Sequence, residues 1–243
     1  MSEKYKRNEE YKMPNRHLNS EEKQFVHLHL HTEYSLLDGV GKITEYVARA
    51  KELGMPAIAI TDHGNMFGAF EFYKTALKAG IKPIIGMEAY ISSGSASEKS
   101  GENFHLILLC KNEIGYKNLL KIASYAYIKG FYYKPRIDKA FLKQHSEGLI
   151  ALSACMKGEI PYYIRKNNME QAKKSLNEYI DIFGKEDFYI EVQDNGFEGQ
   201  DVLNKLLLKL AYENGLKAAA TNDVHYVHNG DHVLQDVLLC LST

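Results

Sequence analysis

The chain has 243 residues, 45% of them hydrophobic, enough to bury one large core or two small ones. Its formal net charge of -1 leaves no global basic field to hold nucleic acid non-specifically, so any such contact must be local. Three cysteines make no disulfide framework, the N-terminus is not signal-like and no apolar run reaches membrane-spanning length, so a cytoplasmic chain without membrane contact is expected.

Residues 1–24 are charged, poor in apolar side chains and without periodicity, which predicts a polar tail ahead of a domain over 25–243. His17 reads there as a solvated bystander. The first strand is predicted at 25–31, where His27, Leu28, His29, Leu30 and His31 alternate. On a regular strand the three imidazoles share one face and the leucines the other. Imidazole is the commonest metal ligand, so three in register favour metal binding over an edge strand with idle histidines.

Ile43, Val47 and Ala50 predict a helix over 42–53, stopped at Gly54. A strand at 57–60 runs into Thr61-Asp62-His63-Gly64, and Asn65 is expected to cap a helix over 66–79. Strands at 82–90 and 105–110 flank a polar loop, and Asn112 caps a helix to about residue 129. A strand at 149–152 ends at Ser153-Ala154-Cys155. Helices over 158–166 and 169–183, a strand at 188–192 and a helix over 201–214 follow. A last strand at 217–220 leads to Thr221-Asn222-Asp223-Val224-His225 and a helix over 228–241. This alternation predicts an α/β fold with a parallel sheet of about seven strands. No Gly-rich phosphate loop follows the first strand, which favours a closed or distorted barrel over an open doubly wound sheet.

In a parallel barrel the C-terminal strand ends form one mouth, where catalytic residues gather. His29, His31, Asp38, His63, Glu88, Cys155, Asp223 and His225 all fall at or just after such ends. His105 opens its strand instead, so either that boundary is misplaced or the strand runs the other way. These nine candidates exceed the needs of one ion and suit a cluster sharing bridging carboxylates. Imidazole, carboxylate and one thiolate fit Zn²⁺ best, while Mn²⁺ and Fe²⁺ prefer sites richer in N and O. Ions a few ångströms apart serve phosphoester hydrolysis.

Neighbouring residues carry two readings each. Asp62 could orient an imidazole or simply form a turn. Lys134 and Arg136 could grip a phosphate or be solvated loop charges. His27 is expected deeper in the barrel, in a core or orienting role, and Glu191 and Asn195 could line the mouth. His228 and His232 lack the glutamate of a helical zinc motif and read as surface residues, and His145 reads as an inert loop residue. Cys110 and Cys240 read as small hydrophobes.

His29-Leu30-His31-Thr32, Thr61-Asp62-His63-Gly64, Gly86-Met87-Glu88 and Asn222-Asp223-Val224-His225 resemble the successive motifs of the PHP (polymerase and histidinol phosphatase) family. More narrowly, SLLDG at 35–39, GNMFGAFEFY at 64–73, IKPIIGMEAY at 81–90, YYKPRID at 132–138, EVQDNG at 191–196 and TNDVHY at 221–226 are similar to the PHP domain found at the N-terminus of bacterial DNA polymerase III alpha subunits of the DnaE type. The region after Glu88 carries no large insertion, unlike the type whose PHP domain is split by an exonuclease. The resemblance implies a distorted seven-stranded (β/α) barrel with up to three divalent metals. By that pattern His29, His31, Glu88 and Asp223 hold one ion. Glu88 bridges to a second, completed by His105 and Cys155, and Asp38, His63 and His225 hold the third. It implies a metal-dependent phosphoesterase, above all a 3′→5′ exonuclease trimming single-stranded primer ends of DNA, working beside the rest of the polymerase chain. The alternative it leaves is a structural, metal-stabilised module that braces the polymerase and docks a separate proofreading subunit. A small-molecule phosphatase is a third option, disfavoured by the polymerase-type motifs. No acidic polymerase triad is visible, so DNA extension by this chain alone is not expected.

Overall fold

The structure, a computed structural model, describes residues 25–36, 38–99 and 101–242. The segment 1–24, expected as a tail, lies outside the described residues.

After an extended stretch at 25–31 come α1 (Ile43–Glu52), β1 (Ala57–Ile60), α2 (Ala69–Ala79), β2 (Lys82–Ser92), β3 (Asn103–Cys110) and α3 (Glu113–Ile128). The hairpin β4 (Phe131–Tyr132) and β5 (Lys134–Ile137) follows, then α4 (Lys139–Gln144), β6 (Leu149–Leu152), α5 (Glu159–Arg165) and α6 (Met169–Phe183). The chain continues through β7 (Phe188–Gln193), α7 (Gln200–Glu213), β8 (Lys217–Thr221) and α8 (His232–Ser242). Among the described residues no helix is long and apolar enough to cross a membrane.

The strands form one curled mixed sheet in the order β4-β5-β2-β3-β6-β7-β8, with β1 beside the first half of β2. The stretch at 27–31 closes it. Its carbonyls accept from Ala59 N–H and Thr61 N–H on one side, while on the other His31 N–H donates to the Val224 carbonyl and Val224 N–H to the His29 carbonyl. The wall is thus a distorted barrel whose staves are this stretch, β1, β2, β3, β6, β7 and β8. β3 alone runs antiparallel to both its neighbours, β2 and β6.

Two expectations change. The stretch at 25–31 is not a regular strand; it is extended with a bend at Leu28 and His29 and a single bridge, Leu30 to Val224. And 131–137, expected as loop, is a hairpin whose β5 pairs with the end of β2. Asn65 also departs from its expected cap: its side chain links Phe67 N–H to the carbonyls of Tyr34 and His63, and α2 starts only at Ala69.

Strand alternation sorts the side chains. Met87, Ala89 and Ile91 of β2 face outward into a core shared with Leu106, Leu119, Ile122, Leu176 and Phe188. A second core under α1 and α2 holds Leu30, Ile43, Val47, Ile58 and Phe72. Each such burial contributes about 1.5–3 kcal/mol. Inside the barrel, Ala59, Ile107, Leu109 and Leu152, joined by Leu28 and Ile84, make an apolar floor. The inward positions above that floor are polar: His29, His31, Glu88 and Glu191, all buried.

Candidate metal centre

The bend at Leu28 and His29 decides which histidines enter the barrel. Leu28 drops to the apolar floor, and His29 and His31 follow it inside with no exposure. His27 instead shares a face with Leu30 and lines a cavity of about 150 Å³ against Tyr46 and Arg49 of α1. The expected common face for all three imidazoles is therefore corrected: a one-residue slip in the alternation excludes His27.

Glu88 sits at the centre. Its Oε1 lies 2.7 Å from His105 Nδ1 and 3.4 Å from His29 Nε2. Its Oε2 lies 2.6 Å from His63 Nδ1 and 3.4 Å from His31 Nε2. His105 reaches this carboxylate from the start of β3 because that strand is reversed, which sets it opposite Tyr90 at the mouth. Asp223 Oδ1 lies 3.0 Å from His29 Nε2 and 3.3 Å from His31 Nε2. Asp223 has a left-handed φ of 51°, a conformation that aspartate tolerates better than most residues. Asp38 Oδ2 lies 2.8 Å from His63 Nε2 and 4.0 Å from His225 Nε2. Three groups of donor atoms, His29-His31-Asp223, His63-Glu88-His105 and His31-His63-His225, each fall within 4.8 Å of one another. They share His31 and His63, so they form one connected cluster.

Outer partners fix the imidazole tautomers. His29 Nδ1 donates to Glu191 Oε1 at 2.8 Å, and that oxygen also accepts from Gln193 and Thr221. His225 Nδ1 donates to the Asp223 carbonyl at 2.8 Å. His31 Nδ1 lies 2.9 Å from Ser35 Oγ, whose own proton goes to Asp62 Oδ1 at 2.8 Å. With the hydroxyl proton so committed, Ser35 accepts from His31, leaving Nε2 bare. Carbonyl and carboxylate acceptors take the Nδ1 protons of the other two rings, the arrangement that orients ligating histidines. Asp62 acts on His31 through Ser35, and it is anchored by Thr32 N–H and Oγ1. The sequence pointed to Asp62 but missed Ser35, Thr221 and Gln193. The only signal for Ser35 was its place in SLLDG.

Cys155 follows β6 on a turn that bridges to His105 through Gly158. Its sulfur joins none of the three groups, although Glu88 and Asp223 are near enough for their charges to add to the effect of burial in raising its pKa. Lys134 lies at the mouth with Nζ 5.5 Å from the Tyr90 ring. Arg136 does not serve as a phosphate grip. It is 1% exposed, donates to the carbonyls of Gly130, Ala96 and Glu98, and stacks on Tyr132.

The charges are strongly coupled. Burial lowers the His31 pKa to about 3, helped by the neighbouring His63 and His225. Burial opposes protonation of His63 too, but Glu88 and Asp38 outweigh it and raise the value to about 10. His29 is likewise raised, against burial, by Asp223, Glu191 and Glu88. Burial would raise the pKa of Glu88, yet His105, His63 and His29 hold it well below the usual carboxylate range. His29 and His63 are thus held protonated by the carboxylates packed around them.

The residues present fit divalent metals. Among the described residues, buried side-chain atoms without a hydrogen-bond partner include Asp38 Oδ1, His63 Nδ1, Glu88 Oε2 and Asp223 Oδ1, all from the cluster. Such groups are rare in folded proteins and call for an explanation. His63 Nδ1 and Glu88 Oε2 are 2.6 Å apart yet misaligned for a hydrogen bond.

The PHP domain family model matches residues 27–195, more than half of the chain. The chain belongs to the PHP family. It is 50% identical over 225 residues to the DNA polymerase III subunit alpha of Borreliella burgdorferi, covering 90% of this chain and 20% of that protein. The same subunit of Helicobacter pylori is 48% identical over 234 residues, covering 91% of this chain and 19% of the relative. The chain therefore spans about a fifth of the length of these relatives. A crystal structure from Bifidobacterium adolescentis, described provisionally as a metal-dependent phosphoesterase, shares the fold at a TM-score of 0.55 and 14% identity, covering 83% of this chain and 88% of that one. Asp223 and His225 lie beyond the matched segment, and the fold brings them into the cluster.

Proposed function

We propose that the barrel mouth is a metal-dependent phosphoesterase centre, a 3′→5′ exonuclease acting on single-stranded DNA ends, in a PHP domain over 25–243 of a DNA polymerase III alpha chain. The observation that carries this reading is the convergence of eight of the nine expected donors around Glu88, with unpartnered buried atoms on four of them. His29, His31, Glu88 and Asp223 would hold one ion. Glu88 would also serve a second ion, held with His105 and Cys155, and Asp38, His63 and His225 would hold a third. Zn²⁺ suits this donor mixture, with Mn²⁺ or Fe²⁺ as the other candidates.

When bound, the cations supply Lewis acidity that makes a water acidic near neutral pH and steadies the departing oxygen. The chain's own residues do the rest. Glu191, Ser35 and the Asp223 carbonyl hold His29, His31 and His225 with Nε2 turned towards the cluster. Lys134, at the rim, offers a positive charge to an incoming phosphodiester. An apolar floor of Ala59, Ile107, Leu109 and Leu152 lies beneath the polar cluster.

Metal-dependent release of nucleotides from labelled single-stranded DNA is expected, and His31→Ala or Asp223→Ala abolishes it. A reproducible nuclease activity untouched by these changes and by chelator would sink the assignment. Exposed apolar residues of α8, Val233, Leu234 and Val237 among them, favour contact with further polypeptide, such as the rest of the polymerase or a proofreading subunit. If bracing is the whole role, removing metal lowers the melting temperature with no catalytic loss.

A further inference from the structure

We infer that an aromatic row beside the metal mouth, Phe67, Tyr127, Phe131 and Tyr133, is a stacking platform that holds the unpaired bases of a single-stranded nucleic acid while its terminal phosphodiester enters the cluster. The inference rests on the phosphoesterase reading for the phosphodiester, but not for the binding itself.

The row begins on the turn after His63, a candidate ligand whose ring stacks on Tyr90 at 5.9 Å and 24°; Phe67 sits on that turn. Phe67 lies 6.0 Å from Tyr127 at the end of α3, and Tyr127 lies 6.2 Å from Phe131 of β4. Phe67 is 61% exposed, and Tyr127 and Phe131 are also open to solvent. Tyr133 at the hairpin tip is 82% exposed and takes a left-handed φ of 58°. That conformation is costly for a bulky side chain and persists because the Tyr132–Lys134 pairing imposes it. A glycine would fill this position without strain, so the tip keeps an aromatic where the backbone disfavours one.

The charges match a polyanion. Between Lys129 and Ile137 the chain carries Lys129, Lys134 and Arg136 and no carboxylate. Arg136 is spent on backbone carbonyls, which makes it the buried support of the hairpin and leaves the lysines to face outward. Exposed aromatic faces interleaved with cations are the recognition surface of single-stranded nucleic acids, because every base offers a π-face. A duplex keeps its bases stacked on each other, so the platform selects unpaired ends.

The test is fluorescence anisotropy of a labelled oligothymidylate with the whole chain in excess chelator, where cleavage cannot occur. Tyr133→Ala and Phe67→Ala are expected to weaken binding by about five- to one-hundred-fold each. Tyr116→Ala, an exposed aromatic at the other end of α3, is expected to leave it unchanged. A matching duplex binds more weakly than the single strand. Parent and variants that bind alike, or a parent that does not bind, would overturn the platform. Turnover of bis(p-nitrophenyl) phosphate with added metal is measured in parallel. Its absence, with oligonucleotide binding still lost in the variants, would overturn the phosphoesterase reading and leave the platform standing.

Discussion

Ser35 shows how much of the centre depends on side chains that never touch a substrate. Its hydroxyl donates to Asp62 and accepts from His31, and His63 N–H donates to the same oxygen. Ser35→Ala is predicted to weaken zinc affinity by about 10- to 100-fold with the fold intact, read by competition against a chelator of known affinity. Glu191→Gln, which replaces the charge facing His29, should do the same. Unchanged affinity in both would mean that the ring orientations are set by packing alone. Eight of the nine candidate donors meet around Glu88, and most of them could be picked out in the sequence because such side chains have few other reasons to end successive strands; the Cys155 sulfur joins none of the three groups. Ser35 was not legible, since a serine in a turn has many uses and only the fold brings it to His31. Arg136 was misjudged for a related reason: a basic loop residue near a mouth suggests phosphate, and its burial among carbonyls becomes visible only once β4 and β5 pair.

Among the elements, β3 and the β4–β5 hairpin account for the largest departures from the expected parallel alternation. Strand periodicity reports which residues alternate but not the direction in which a strand runs, so the reversal of β3 was hidden. The position of His105 at a strand start was its only trace. The slip at Leu28 and His29 was equally invisible, because a bend inserts no residue type that marks it. The hairpin rests on Arg136. Arg136→Met would strip the carbonyls of Gly130, Ala96 and Glu98 of a shared donor and is predicted to destabilise the chain by roughly 2–4 kcal/mol in urea unfolding. A shift within ±0.5 kcal/mol would show that water replaces those bonds at no cost. Gly115→Ala is expected to be costly as well, because a Cβ there would stand 1.8 Å from the Gly148 carbonyl oxygen at the start of α3.

For the whole molecule, the cluster links stability to pH. His63 has a raised pKa in the folded state, so its contribution is complete below its unfolded value near 6.5 and is lost as pH rises through about 10. Glu88, Asp38 and Asp223 have lowered values, so theirs holds above the ordinary carboxylate range and is lost as pH falls. The metal-free chain should therefore melt at a lower temperature at pH 9 than at pH 6.5. With metal bound the order reverses, because metal must displace the imidazolium protons and binds more tightly where they are scarce. Differential scanning calorimetry with and without chelator checks both slopes, and identical slopes would remove the cations from the account. The barrel class was legible at this scale from alternation and the missing phosphate loop. The manner of its closure was not, because it depends on an irregular stretch bonding to β1 on one side and to Val224 on the other.

The most direct measurement is a set of anomalous difference maps collected on crystals above and below the zinc, iron and manganese edges. The account predicts peaks, up to three, each about 2.0–2.3 Å from donors among His29, His31, Asp38, His63, Glu88, His105, Cys155, Asp223 and His225. Metal-supplemented crystals showing no peak in the barrel mouth, or ions bound only to other residues, would contradict it.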